Sequence, residues 1–387
     1  MERDAYREAG VDIDAAMRTK RGIREMVRST FRPEVLSDIG AFGGLFKPDF
    51  SGIDDPVLVS SADGVGTKLK VAIMTGRHDT VGADLVNHCC NDILVMGARP
   101  LFFLDYLAYA RHDDALVTAI ISGLARACRE NRCALVGGEM AELPDVYHPG
   151  EYDLAGVIVG VVGQGNIFDG SRVGEGDVIL GLASSGLHTN GYTLARKLIF
   201  EMAGLSPDDL LPGAGRTVAD ELLAVHRSYG PSVIPLLSHH GLHAMAHITG
   251  GGLTGNINRV LLGTPDYALH NLGTPIGTPA YRHPDLCEAQ VGDPSKHKSG
   301  TPHAHLDAVI DPDSWETLPI FRFLAETGSL SDRELYRTFN MGIGMTLVVA
   351  RSVSEAISAA LRAAGETVYR IGETVPGGGE VHIVRSR

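Results

Sequence analysis

A chain of 387 residues exceeds what one hydrophobic core usually supports, so two domains are expected, and 34 basic against 47 acidic residues, a net charge of −13, argue against a nucleic-acid surface or an anionic membrane as partner. Cys89, Cys90, Cys128, Cys133 and Cys287 are an odd set with no Cys-x-x-Cys pair, which points to a reducing, cytoplasmic setting and away from a disulfide framework or zinc ribbon. No run of about 18 apolar residues suggests a membrane span, and the charged first ten residues do not read as a secretion signal.

Residues 1 to about 50 are polar, then glycine-rich, with a short basic helix expected over Ala15–Ser29; they read equally as a covering arm or a solvated extension. From Val57 onward strands and helices alternate, so α and β elements share a core. Expected are a strand at Val57–Ser60, helices near Lys68–Thr75 and Asp84–Met96, and a strand at Leu101–Leu107. A helix at Asp113–Asn131 follows, with strands at Ala134–Val136 and Tyr152–Val162. The first domain is placed at 1–170 and the second at 171–387. The second repeats the design: a strand at Val178–Ala183, the polar loop Ser184 to Gly191, and a helix from Tyr192. The loop His247 to Gly252 precedes a helix expected at Leu253–Leu261. Between Gly263 and about His305 the periodicity collapses into an irregular insertion, whose His303-Ala304-His305 reads more readily as solvated than as a metal ligand. Order returns with Val309-Ile310, a helix at Trp315–Thr327, a strand at Met345–Ala350, a helix at Val353–Ala364, and short strands near Val368–Ile371 and Val381–Val384.

The chemistry concentrates where the first strand ends, in Asp63-Gly64-Val65-Gly66-Thr67-Lys68. Glycines admit a ligand close to the backbone, an ammonium neutralises phosphate, and a carboxylate can hold a hard cation that bridges phosphates. No Walker spacing occurs, so such a phosphate site is built another way. On the following helix Asp84, His88, Asn91 and Asp92 fall on one face, which read alone is the ordinary solvated side of an amphipathic helix. Glu139, after Gly137-Gly138, ends another strand. Four carboxylates and an amide meeting there would require cations, and magnesium suits them better than zinc. Three consecutive glycines at 250–252 offer backbone N–H groups to an anion, or form a flexible turn. His188 and His247 are the candidate acids or bases, each in a glycine-flanked loop after an apolar strand; either can also be a satisfied structural histidine.

Read together, these residues resemble the phosphoribosylformylglycinamidine cyclo-ligase family (aminoimidazole ribonucleotide synthetases) of purine biosynthesis. The resemblance runs through Tyr6 to Asp14, Asp63 to Lys68, Phe102-Phe103-Leu104-Asp105-Tyr106, Gly137-Gly138-Glu139, Ser184-Ser185-Gly186 with Asn190-Gly191-Tyr192, Thr249-Gly250-Gly251-Gly252 and Tyr336-Arg337-Thr338-Phe339-Asn340. The wider superfamily includes selenophosphate synthetase, thiamine-monophosphate kinase and the hydrogenase-maturation dehydratase. The resemblance implies an α/β (α+β) fold of two domains, and a homodimer whose N-terminal strands form a shared barrel. It implies ATP-dependent closure of formylglycinamidine ribonucleotide to aminoimidazole ribonucleotide. ATP and Mg2+ would be held by Asp63, Asp84, Asn91, Asp92 and Glu139, with Gly64, Gly66, Thr67, Gly137 and Gly138 beside the nucleotide and Lys68 on phosphate. Ser184, Ser185, Gly186, Asn190, Thr249, Gly250 and Gly251 would face the substrate. Two departures stand: Lys20, Arg21 and Arg24 compete for the basic role in the opening segment, and the 263–305 insertion is long, leaving a lid, an oligomer contact or, preferred here, a passive excursion. The alternatives are another ATP-dependent member of the superfamily or a non-catalytic nucleotide binder. Retention of Asp63, Lys68, Asp92 and Glu139 weighs against the latter.

Overall fold

The computed structural model describes residues 13–262 and 306–385. Cys287, the insertion with His303 and His305, and the beginning of the Tyr6 to Asp14 motif lie outside the described residues. Helix α1 (Ile13–Arg28) leads to an N-terminal unit of β1 (Pro56–Gly64), α2 (Leu69–Thr75), α3 (Val81–Leu94), β2 (Arg99–Tyr109), α4 (Asp114–Glu130), β3 (Ala134–Glu142) and β4 (Tyr152–Gly163). Its sheet runs β1-β4-β2-β3; β2 and β3 are parallel, joined through α4, and the other neighbours are antiparallel. Asp113 caps α4 by accepting the N–H groups of Ala115 and Leu116, and Val117, Ile120, Ile121, Leu124 and Cys128 make its buried stripe.

Every residue of α3 except Asp92 is buried. The solvated face expected from its polar residues does not exist: that side is turned onto the C-terminal unit. Its other side crosses α4 closely enough that a Cβ on Gly82 would run into the Ile120 carbonyl. The sheet's outer face is different, for Leu58, Tyr106 and Val157 are 61%, 42% and 37% exposed on three neighbouring strands.

The C-terminal unit contains β5 (Val178–Ala183), α5 (Tyr192–Arg196), α6 (Val218–Leu222), α7 (Gly230–Val233), β6 (Leu242–His247), α8 (Gly252–Leu262) and β7 (Leu306–Ile310). It continues with α9 (Pro319–Gly328), α10 (Asp332–Thr338), β8 (Ile343–Val349), α11 (Ser354–Ala363), β9 (Val368–Pro376) and β10 (Val381–Ile383). The sheet order is β10-β7-β9-β5-β8-β6, antiparallel except for β10 beside β7. Strand β8 is buried at every residue, its apolar run interrupted only by Thr346. The helix expected from Trp315 begins instead with Pro319, whose fixed φ and missing N–H suit a first turn. Trp315 is buried outside it, donating its indole N–H to the Met341 carbonyl at 2.9 Å. Helix α10, absent from the sequence reading, is started by a capping box between Ser331 and Glu334.

Candidate active site

A cleft of about 600 Å³ opens between the two units. Asp63 enters it from the end of β1, His88 and Asp92 from α3, Asn190 from the loop after β5, His247 from the end of β6, and Thr249-Gly250 from the turn before α8. Because both sheets are mostly antiparallel, the site is not a row of strand carboxyl ends. It is a seam with α3 and the end of β1 on one side and the end of β6 with the C-terminal loops on the other.

The polar groups form a continuous chain. His88 Nε2 lies 2.6 Å from Asp63 and 3.6 Å from Asp92, and its Nδ1 is 2.7 Å from the Thr189 hydroxyl. That hydroxyl is also 3.3 Å from His226 Nδ1. His226 Nε2 is 3.0 Å from His247 Nε2, and His247 Nδ1 is 2.8 Å from Asp92. Burial opposes charge on His88, but hydrogen bonding and attraction from Asp63 and Asp92 prevail and raise its pKa. Burial would raise Asp63 and Asp92 too; His88 for the first, His247 and His88 for the second, hold both carboxyls below their usual range. His247 is pushed down by burial despite Asp92, and His226 well down by burial and its imidazole neighbours. The two carboxylates thus bias His88 toward its cationic form, while burial biases His247 toward its neutral form.

Of the anticipated set, the structure brings Asp63, Asp92, Asn190, His247, Thr249 and Gly250 to this cleft. Gly251 borders a neighbouring cleft of about 850 Å³ lined by Arg333 and Arg337. His188 does not reach the main cleft: it is buried in the left-handed region at φ 63, accepts the Ser185 N–H at its Nε2, and stacks on His226 with centroids 4.0 Å apart. Ser184 and Ser185 also turn inward, donating to the carbonyls of Gly186 and Val225. Asp84 meets Lys68 at 2.8 Å with both side chains fully buried, and Asn91 bonds the main chain at Arg227 and Tyr229. Neither lines this cleft, and the Lys68 side chain is fully buried.

Glu139 is separated for a topological reason. Asp63 pairs with Gly156 and Gly138 with Asp105 along the row β1-β4-β2-β3, so Glu139 stands three strand spacings from β1, roughly 14 Å. Gly64, Gly66 and Thr67 follow Asp63 into a short 3₁₀ turn in which Gly66 takes φ 71, a conformation glycine adopts without strain. His226 was not among the anticipated residues. It lies in Val225-His226-Arg227, with no adjoining glycine and no strand before it, and only the tertiary contacts reveal it.

The two units correspond to the two domains of the AIR synthase related proteins. The N-terminal domain of that family matches residues 50–162 and its C-terminal domain matches 174–265 and 301–385. The chain is 48% identical to phosphoribosylformylglycinamidine cyclo-ligase of Citrifermentans bemidjiense, over 95% of this chain and 94% of the relative. It is 46% identical to the protein of that name from Xanthomonas campestris pv. campestris, over 98% of both. The chain belongs to the phosphoribosylformylglycinamidine cyclo-ligase family. Its fold is similar to that of thiamine-monophosphate kinase from Stenotrophomonas maltophilia, with TM-score 0.62 and 18% identity over 96% of each chain. Hydrogenase maturation protein HypE in complex with ATP gives TM-score 0.61 and 17% identity over 97% of this chain and 92% of that one.

Proposed function

We propose that the chain catalyses ATP-dependent cyclisation of formylglycinamidine ribonucleotide to aminoimidazole ribonucleotide, releasing ADP and phosphate. The γ-phosphoryl group passes to the formyl oxygen, an amidine nitrogen attacks the formyl carbon, phosphate departs and a proton is lost. The observation carrying this reading is the convergence of Asp63, His88 and Asp92, with ligand atoms of all three within 4.8 Å of one another, on a cleft between the units. Two carboxylates, with room for water and phosphate oxygens, fit Mg2+, which when bound neutralises phosphate charge. The chain's own part is positioning: Asn190 and Thr249-Gly250 form the wall facing the substrate, and His247, anchored at Nδ1 by Asp92, accepts the proton at Nε2 in exchange for its contact with His226. Incubation with ATP, Mg2+ and formylglycinamidine ribonucleotide is expected to release ADP only when the ribonucleotide is present. Absence of substrate-dependent ADP would sink the reading.

The exposed apolar stripe of Leu58, Tyr106 and Val157 supports a homodimer that buries the outer face of the N-terminal sheet. Sedimentation velocity is expected to give a dimer, and Leu58→Glu with Val157→Glu a monomer. A monomeric unsubstituted protein would contradict the assembly.

A further inference from the structure

The ammonium of Lys68 has three protons and three acceptors, none of them open to ligand: Asp84 at 2.8 Å, the Ala224 carbonyl at 2.7 Å and the His188 carbonyl at 3.2 Å. The side chain is wholly buried, with the Tyr192 ring 5.6 Å away. Lys68 and Asp84 belong to the N-terminal unit, His188 and Ala224 to the C-terminal one. Asp84 extends the link by accepting the His226 N–H at 2.7 Å. Farther along the same side of α3, Asn87 donates to the His226 carbonyl at 2.7 Å, while Asn91 donates to the Arg227 carbonyl at 2.8 Å and accepts the Tyr229 N–H at 3.0 Å. Side chains of one unit thus satisfy the main chain of the other from Ala224 to Tyr229, as a neighbouring strand would.

We propose that Lys68 is a positioning residue, which serves the reaction by fixing the His188 and Ala224 carbonyls against α3 and not by touching ATP. His188 is a non-glycine residue in the left-handed region, and the Lys68 bond to its carbonyl helps hold that conformation. The next two residues are Thr189, which joins His88 to His226, and Asn190, which lines the cleft. Two residues beyond Ala224 is His226, the partner of His247. Both chains of contact end on the proposed base and the proposed substrate wall. To reach a phosphate the ammonium would have to surrender all three acceptors.

Lys68→Met alone would leave the Asp84 carboxylate buried without its cation, so the test uses Lys68→Met with Asp84→Asn, which is neutral and keeps an oxygen for the His226 N–H. The inference rests on the proposed reaction for its kinetic arm, and turnover by the unsubstituted protein is the control that tests that reading separately. The double variant is expected to keep the KM for ATP within about threefold while kcat falls about a hundredfold or more. A KM for ATP raised tenfold or more with kcat retained would make Lys68 a phosphate ligand, and unchanged kcat and KM would make it structural only; either overturns the proposal. A second arm needs neither turnover nor a folded variant: the unsubstituted protein is treated with acetic anhydride with and without ATP, and acylation is read by peptide mass spectrometry. Lys68 is expected to stay unmodified in both. Acylation without ATP and protection by it would overturn the proposal.

Discussion

Asp63→Asn and Asp92→Asn are each expected to lower turnover by on the order of a hundredfold or more without unfolding the protein. Of the three acidic residues lining the cleft, Asp63, half-exposed, and Asp92, less so, are the two that bracket His88. An amide preserves shape and one oxygen but removes the charge proposed to attract Mg2+. It also takes from His88 one of the partners that raise its pKa. In the Asp92 variant the anchor of His247 Nδ1 is weakened as well, so its loss should be the larger. The pair should be far from additive, because both residues contact one imidazole and are proposed to share one ion. Steady-state ADP release checks this beside a thermal melt; wild-type turnover by Asp63→Asn at an unshifted Tm would remove Asp63 from the metal site.

Asp105→Asn is expected to stabilise the protein above neutral pH. Asp105 is buried on β2 opposite Gly138, where a Cβ would collide with its carboxyl, and burial, assisted by repulsion from Glu139, pushes its pKa up to about 7. An unfolded aspartate titrates near 3.9. From about pH 4 to 7 the folded state holds a proton that the unfolded state has released, so stability falls as pH rises through that window and stays low above it. The loss attributable to this carboxyl is of order 4 kcal/mol. The asparagine variant lacks the titration. Urea midpoints at pH 5 and pH 8 should therefore differ less for the variant, and an equal difference in both proteins would clear Asp105 of the effect.

Local pattern marked much of this site. The strand of β1, the glycines after it and the helical spacing of His88 and Asp92 are short-range signals, and they met in the cleft with His247 and Thr249, which a second strand and glycine loop had flagged. What pattern did not convey was which partner each polar group would find. Lys68 looks like a phosphate ligand because lysine beside glycine and acid has that chemistry, yet its burial depends on a loop more than a hundred residues away. Asp84 and Asn91 share a helix face with His88, but a face can be divided between a cleft and a protein neighbour, and periodicity does not separate the two. Glu139 depends on strand order: β3 lies beyond β2, away from β1, and no residue near Glu139 encodes that.

Helix α3 meets water only where Asp92 enters the cleft. Were the two units to part, Asp84, Asn87 and Asn91 would lose their main-chain partners and its apolar side would still need α4. By its sheets the chain has two units; the hydrogen bonds along this helix join them. Exchange of a single unit between relatives would thus have to preserve both surfaces of this one helix, which ties the inheritance of the two halves together.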